Sequence, residues 1–151
     1  MKALLYLPWF LLLLAKATWS APSNFEPIIG NALLCQDEIN SLFFQDYLTR
    51  HFKSPYKTEG GGLWYKPDGT LLFGSEVEQI FVSTGGDQVE FLGVIFNAQI
   101  SEVKQKLYQN KGVQFFLDPS EKLMRSTMGS FLMEYTLTKT KLFCVKYRVG
   151  R

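Results

Sequence analysis

Few residues of this chain have the types and spacing that catalysis demands. His51 is the only histidine, so a His-activated nucleophile or a His-based metal site would rest on a single ring. Cys35 and Cys144 are the only cysteines and have no CxxC spacing. Two thiols and one imidazole fall short of a four-ligand zinc site unless carboxylates are recruited. GxSxG, HExxH, GxxxxGK[ST] and GxGxxG patterns are absent from the sequence. Glu76, Glu78 and Glu90 could meet across a hairpin as the carboxylate pair that glycoside hydrolysis needs. Exposed strand acids are the far commoner explanation of such residues. The chain is therefore read as a non-enzyme needing no cofactor and no metal.

Two features point to binding instead. Trp64, Tyr65 and Phe73 cluster around glycine-rich and turn-forming sequence, where aromatics either anchor an interface or plug the edge of a core. Charge is also segregated. From Lys122 to Arg151 there are seven basic residues against Glu134 alone, whereas residues 21–121 hold seven basic and thirteen acidic ones. Cancelling halves imply internal pairing or a bipolar surface. The candidate partner surface combines Trp64 and Tyr65 with Lys139, Lys141, Lys146 and Arg148 of the C-terminal segment.

The 151 residues provide room for one domain, and 46% apolar with 20% charged residues is ordinary for a globular protein. Lys2 and Lys16 lie in the first twenty residues, which hold no acid. Without that segment the formal charge falls from +2 to zero, which argues against a nucleic-acid partner. Met1-Lys2 followed by thirteen nearly unbroken apolar residues, Ala3 to Ala15, has the form of a signal peptide over residues 1–20. The run is shorter than the roughly 20 residues that span a bilayer. The mature N-terminus is expected between Thr18 and Ala21, an uncleaved anchor being the alternative. No cysteine follows the apolar run closely enough for a lipoprotein. The expected destination is a bacterial periplasm or, failing that, secretion, with at most peripheral membrane contact. In such a compartment Cys35 and Cys144 read as a disulfide, the alternative being two buried thiols.

The elements that would position these residues follow from periodicity. Residues 21–33, with Pro22 and Pro27, read as an extended arm, and residues 34–151 as a single α+β domain. Apolar positions from Ile39 to Phe52 predict a first helix over about Leu34–Phe52, ended by Ser54-Pro55. Glu59-Gly60-Gly61-Gly62 is a hinge or tight loop. Leu63-Trp64-Tyr65 and Thr70–Phe73 are expected to form a hairpin around Lys66-Pro67-Asp68-Gly69. Strands are predicted at Val77–Ser83, Val89–Phe96, Val113–Leu117, Phe131–Leu137 and Leu142–Val149. A second helix starts near Asn97 or Ser101 and ends at Gly112. In the last strand Phe143, Val145 and Tyr147 alternate with Leu142, Cys144, Lys146 and Arg148; if Cys144 bonds Cys35 the first helix covers part of the Cys144 face, and the opposite face is too apolar to be left in water without a cover. No internal repeat is visible.

Residues Gly93 to Leu107, GVIFNAQISEVKQKL, resemble the strand-to-helix element of small envelope domains. Those are the SmpA/OmlA-type assembly lipoproteins and the beta-lactamase-inhibitor-like fold. The resemblance implies an α+β protein-binding module. The expectation is thus an antiparallel sheet of five to seven strands with two main helices. It would serve as an exported, non-catalytic binder of an unknown protein: an inhibitor, an immunity-type protein or an envelope accessory factor. A small carboxylate-dependent hydrolase and a peripheral lipid-binding protein are the alternatives.

Overall fold

The computed structural model describes residues 21–148, so the expected signal segment and its cleavage site lie outside the described residues. The fold is α+β. Among the described residues it comprises three helical segments and one antiparallel sheet of nine strands, more than the five to seven expected. Helix α1 runs as a π-helical turn, Glu26–Gly30, into Asn31–Leu33. Helices α2 (Ser41–Phe52) and α3 (Ile100–Lys111) each have 12 residues. The strands are β1 (Lys57–Glu59), β2 (Gly62–Tyr65), β3 (Leu71–Leu72), β4 (Ser75–Ser83), β5 (Val89–Phe96), β6 (Phe115–Asp118), β7 (Leu123–Ser126), β8 (Phe131–Thr136) and β9 (Lys139–Tyr147).

The sheet order β1-β2-β4-β5-β9-β8-β7-β6 contains a repeat of topology that the sequence does not display. A 12-residue helix is followed by a four-strand meander, twice, and the last strands of the two meanders, β5 and β9, pair at the centre. Strand β3 is an addition that pairs with the start of β4. The two strands missed by sequence, β1 and β7, are short, and KTE and LMRS lack the apolar alternation that marks a half-buried strand.

Residues 26–33 are helical, which corrects the expectation of an extended arm. Phe25, Ile29 and Leu33 recur at a helical spacing of four and are buried, while Pro27 falls in the first turn, where no amide partner is lost. Cys35 then takes a left-handed conformation (φ 58°) and ends the segment. Helix α2 accordingly starts at Ser41 rather than Leu34. Asn40 is its N-cap, the side-chain Oδ1 accepting from the Phe43 amide at 3.1 Å. Its buried stripe is Ser41, Phe44, Tyr47 and Leu48, leaving Leu42 and Phe43 exposed. Helix α3 ends as expected at Gly112, which is left-handed and satisfies the last carbonyls.

All three helices lie on one face of the sheet and bury the main core against it. Leu92, Val94, Leu142, Cys144 and Leu132 meet Ile29, Leu33, Leu48, Val103 and Leu107 there. The disulfide Cys35–Cys144 joins the end of α1 to β9 with a Cα–Cα distance of 5.5 Å, within the reach that a bridge requires.

Candidate functional site

The aromatic trio expected to cluster is dispersed. Gly60 and Gly61, both at positive φ, make a two-residue turn between β1 and β2, so Gly62–Trp64 pairs with Lys57–Glu59, and the expected hairpin with Thr70–Phe73 does not form. Phe73 itself sits at positive φ in the β3–β4 turn. Its amide donates to Glu26 and its carbonyl accepts from the Asn110 side chain, while its ring packs on Gly30 of α1. Trp64 and Tyr65 are neighbours on a strand and so point to opposite faces. Tyr65 belongs to the main core, 1% exposed, with its hydroxyl near Thr49 and the Gln45 carbonyl on α2. It is therefore not a surface residue.

The basic residues divide by the same alternation. Lys146 and Arg148 lie on the helix side. Lys146 donates to the Cys35 carbonyl at 3.3 Å, and Arg148 pairs with Glu90 at 2.7 Å. Lys139 and Lys141 lie on the opposite face with Trp64. The six residues expected to make one surface are thus split three and three. The charge segregation of the sequence resolves partly into internal pairing, because Lys139–Glu78 and Arg148–Glu90 tie the basic end to acids of β4 and β5.

The sheet also separates Glu90 from the other two acids. Glu78 faces Lys139 at 2.9 Å, Glu76 accepts from Asn97, and Glu90 lies on the helix side. Glu90 accepts from the Ser41 amide at 3.1 Å as well as from Arg148. Burial pushes its pKa up, but the hydrogen bonds from Arg148 and Ser41 outweigh this and hold the carboxyl below its usual value. These are anchoring contacts at the start of α2. Ser41 also bonds Ser83 through their hydroxyls, closing α2 onto β4. Glu90 and Glu78 lie on opposite faces of the sheet and do not pair with each other. No group of three or more metal-ligating side chains occurs among the described residues. His51 sits in the last turn of α2 against the Tyr47 ring.

The second face of the sheet is the site. Among the described residues no helix lies on it, yet it is apolar. Directly opposed residues run across the strands as Lys57, Trp64, Phe81, Gly93, Phe143, Phe131, Arg125 and Phe116. Rings and cations interleave along this row. Lys57 Nζ lies 4.3 Å from the Trp64 ring, and Trp64 stacks on Phe81 at 4.6 Å. Lys141 Nζ is 4.8 Å from Phe81 and 5.1 Å from Phe143, Phe143 stacks on Phe131 at 5.1 Å, and Arg125 covers Phe131 at 4.7 Å. Such contacts contribute about 0.5–1 kcal/mol each where exposed. They let long cationic side chains cover part of the apolar surface.

A groove of about 280 Å³ runs over this face, walled by Trp64, Phe81, Phe91, Phe143 and Val145, with Glu59 and Lys141 diagonally across the sheet from one another. Trp64 and Phe81 belong with Ile95 to the buried cluster of this face, and Phe91 and Phe143 are only partly buried. Trp64, at 8% exposure, is wall and floor rather than a projecting anchor, its ring nitrogen donating to the Glu59 carbonyl at 3.1 Å. The apolar character of this face was legible in β9. Phe81 and Phe91 lay within predicted strands, and their alternation was the signal that could have found them.

No family model, curated protein or solved structure matches the chain.

Proposed function

We propose that this chain is an exported, non-catalytic protein-binding module whose partner docks on the open face of the sheet, in a bacterial periplasm or outside the cell. The single observation that carries the reading is the second apolar cluster, Trp64–Phe81–Ile95 flanked by Phe91 and Phe143, on a face that no described helix covers. An apolar, aromatic-rich centre with cations around it has the composition of a protein interface. The disulfide favours an oxidising compartment. No helix of the described residues is long and apolar enough to cross a membrane. The likeness of Gly93–Leu107 to envelope binding domains points the same way, and that segment forms the end of β5 and most of α3.

The lipid-binding alternative would draw on cations beside aromatics. Here Lys57, Lys139 and Arg125 each face an acid, Glu59, Glu78 and Glu121, which leaves little basic charge for an anionic bilayer.

The reading is tested by placing a photo-crosslinking phenylalanine at Phe131 on the open face and, as control, at exposed Lys104 on α3, in cells that export the protein. A discrete crosslinked protein from position 131 alone is expected. Equal crosslinking from both positions, or from 104 alone, would remove the open face as the docking site.

A further inference from the structure

Lys141 is the one open-face cation of the groove that has no acidic partner among the described residues. Its neighbours across the strands are Ile95 on β5 and Met133 on β8, and its ammonium lies between the rings of Phe81 and Phe143. The other groove-side charges are already neutralised locally: Glu59 by Lys57 at 2.6 Å and Glu78 by Lys139 at 2.9 Å. Burial also lowers the pKa of Lys141, consistent with an ammonium that is partly stripped of water and lacks a compensating anion. A desolvated charge beside an apolar trough is costly when empty and becomes favourable when an anion with an apolar body fills the site.

Resting on the reading above, we infer that the groove is a subsite for a carboxylate carried next to an apolar side chain on the protein partner, with Lys141 as the carboxylate receptor and Trp64, Phe81, Phe91 and Phe143 as the apolar bed. The stoichiometry sets the ligand class. Nucleic acids and anionic membranes gain affinity from several cations acting together, whereas this site offers one uncompensated ammonium. The groove volume of about 280 Å³ matches one or two side chains rather than a large cofactor.

The probe is 3-phenylpropionate, a phenyl group with a carboxylate, compared with the neutral isostere 3-phenylpropan-1-ol. Both are titrated into the 15N-labelled mature protein and followed by amide chemical shifts, in wild type and in Lys141→Met, which keeps an unbranched stem. Shifts are expected at Phe81, Phe91, Lys141 and Phe143, with the acid binding about five-fold more tightly than the alcohol, as one partly buried ion pair supports. In Lys141→Met that preference should vanish while the alcohol binds as before.

Equal affinity for acid and alcohol in wild type, a preference that survives Lys141→Met, or absence of shifts at the groove would each overturn the inference. Lys141-dependent binding to phosphatidylglycerol vesicles without binding of the acid would overturn it in favour of lipid. The two proposals fail separately. Crosslinking confined to Phe131 together with no acid preference would sink the carboxylate subsite alone. Crosslinking indifferent to position would sink the docking face whatever Lys141 binds.

Discussion

The ring of Phe81 lies directly over Gly93 on the neighbouring strand, so that a β-carbon at Gly93 would sit 1.9 Å from its Cζ. The missing side chain makes the bed on which the open-face cluster is built: Phe81 lies flat there, stacks on Trp64 and brings its face under Lys141. Gly62 serves Phe91 in a milder way, its β-position 3.2 Å from that ring.

Gly93→Ala should therefore destabilise the protein by about 1–3 kcal/mol through overpacking. The test is a double-mutant cycle in urea. Gly93→Ala costs much less in a Phe81→Leu background if the ring is the cause, and the same in both backgrounds if it is not.

The disulfide ties α1 to the central strand at the seam where the two meanders meet. Because it closes a loop of 109 residues, replacing Cys35 and Cys144 by Ser should cost about 2–5 kcal/mol. Denaturant unfolding of the double variant measures this. A loss below about 1 kcal/mol would mean that α1 is held chiefly by Phe25, Ile29 and Leu33.

Glu90 gives the fold an acid sensitivity. Its carboxyl pKa is lower in the folded chain than in the unfolded one, so the stability from the Ser41 and Arg148 contacts is present above the unfolded value and is lost as pH falls through the folded one. Glu90→Gln should lower Tm at pH 7, and the gap between wild type and variant should narrow on acidification below about pH 4. Thermal melts at both pH values decide this. A gap that is unchanged or wider in acid would contradict the assignment.

Much of this was legible in the sequence, and the errors have physical causes. The strands Val77–Ser83, Val89–Phe96 and the C-terminal strand, together with the cap at Gly112, follow from alternation and turn chemistry. The disulfide followed from compartment logic. Pro22, Pro27 and Gly30 concealed α1, because breakers at a helix start and at a close ring contact do not break it. The aromatic trio looked contiguous along the chain, but hairpin pairing depends on the positive φ of Gly60 and Gly61, which moved Phe73 away from Trp64. The division of Lys139 and Lys141 from Lys146 and Arg148 was implicit in the two-residue period of β9, and grouping them by proximity in sequence overlooked it. The groove was not readable in advance, because Phe81, Phe91 and Phe143 come from three strands whose register only the folded sheet defines.

Docking on the open face is tested most directly by the affinity of the protein crosslinked through Phe131 for two variants of matched thermal stability: Met133→Glu, half-buried on the open face, and Lys104→Glu on α3. A charge placed in the interface should weaken binding about ten-fold or more, as loss of an interface contact does, with less than about two-fold change for the α3 variant. Unchanged affinity for Met133→Glu, or a loss confined to Lys104→Glu, would mean that the partner does not dock on the open face.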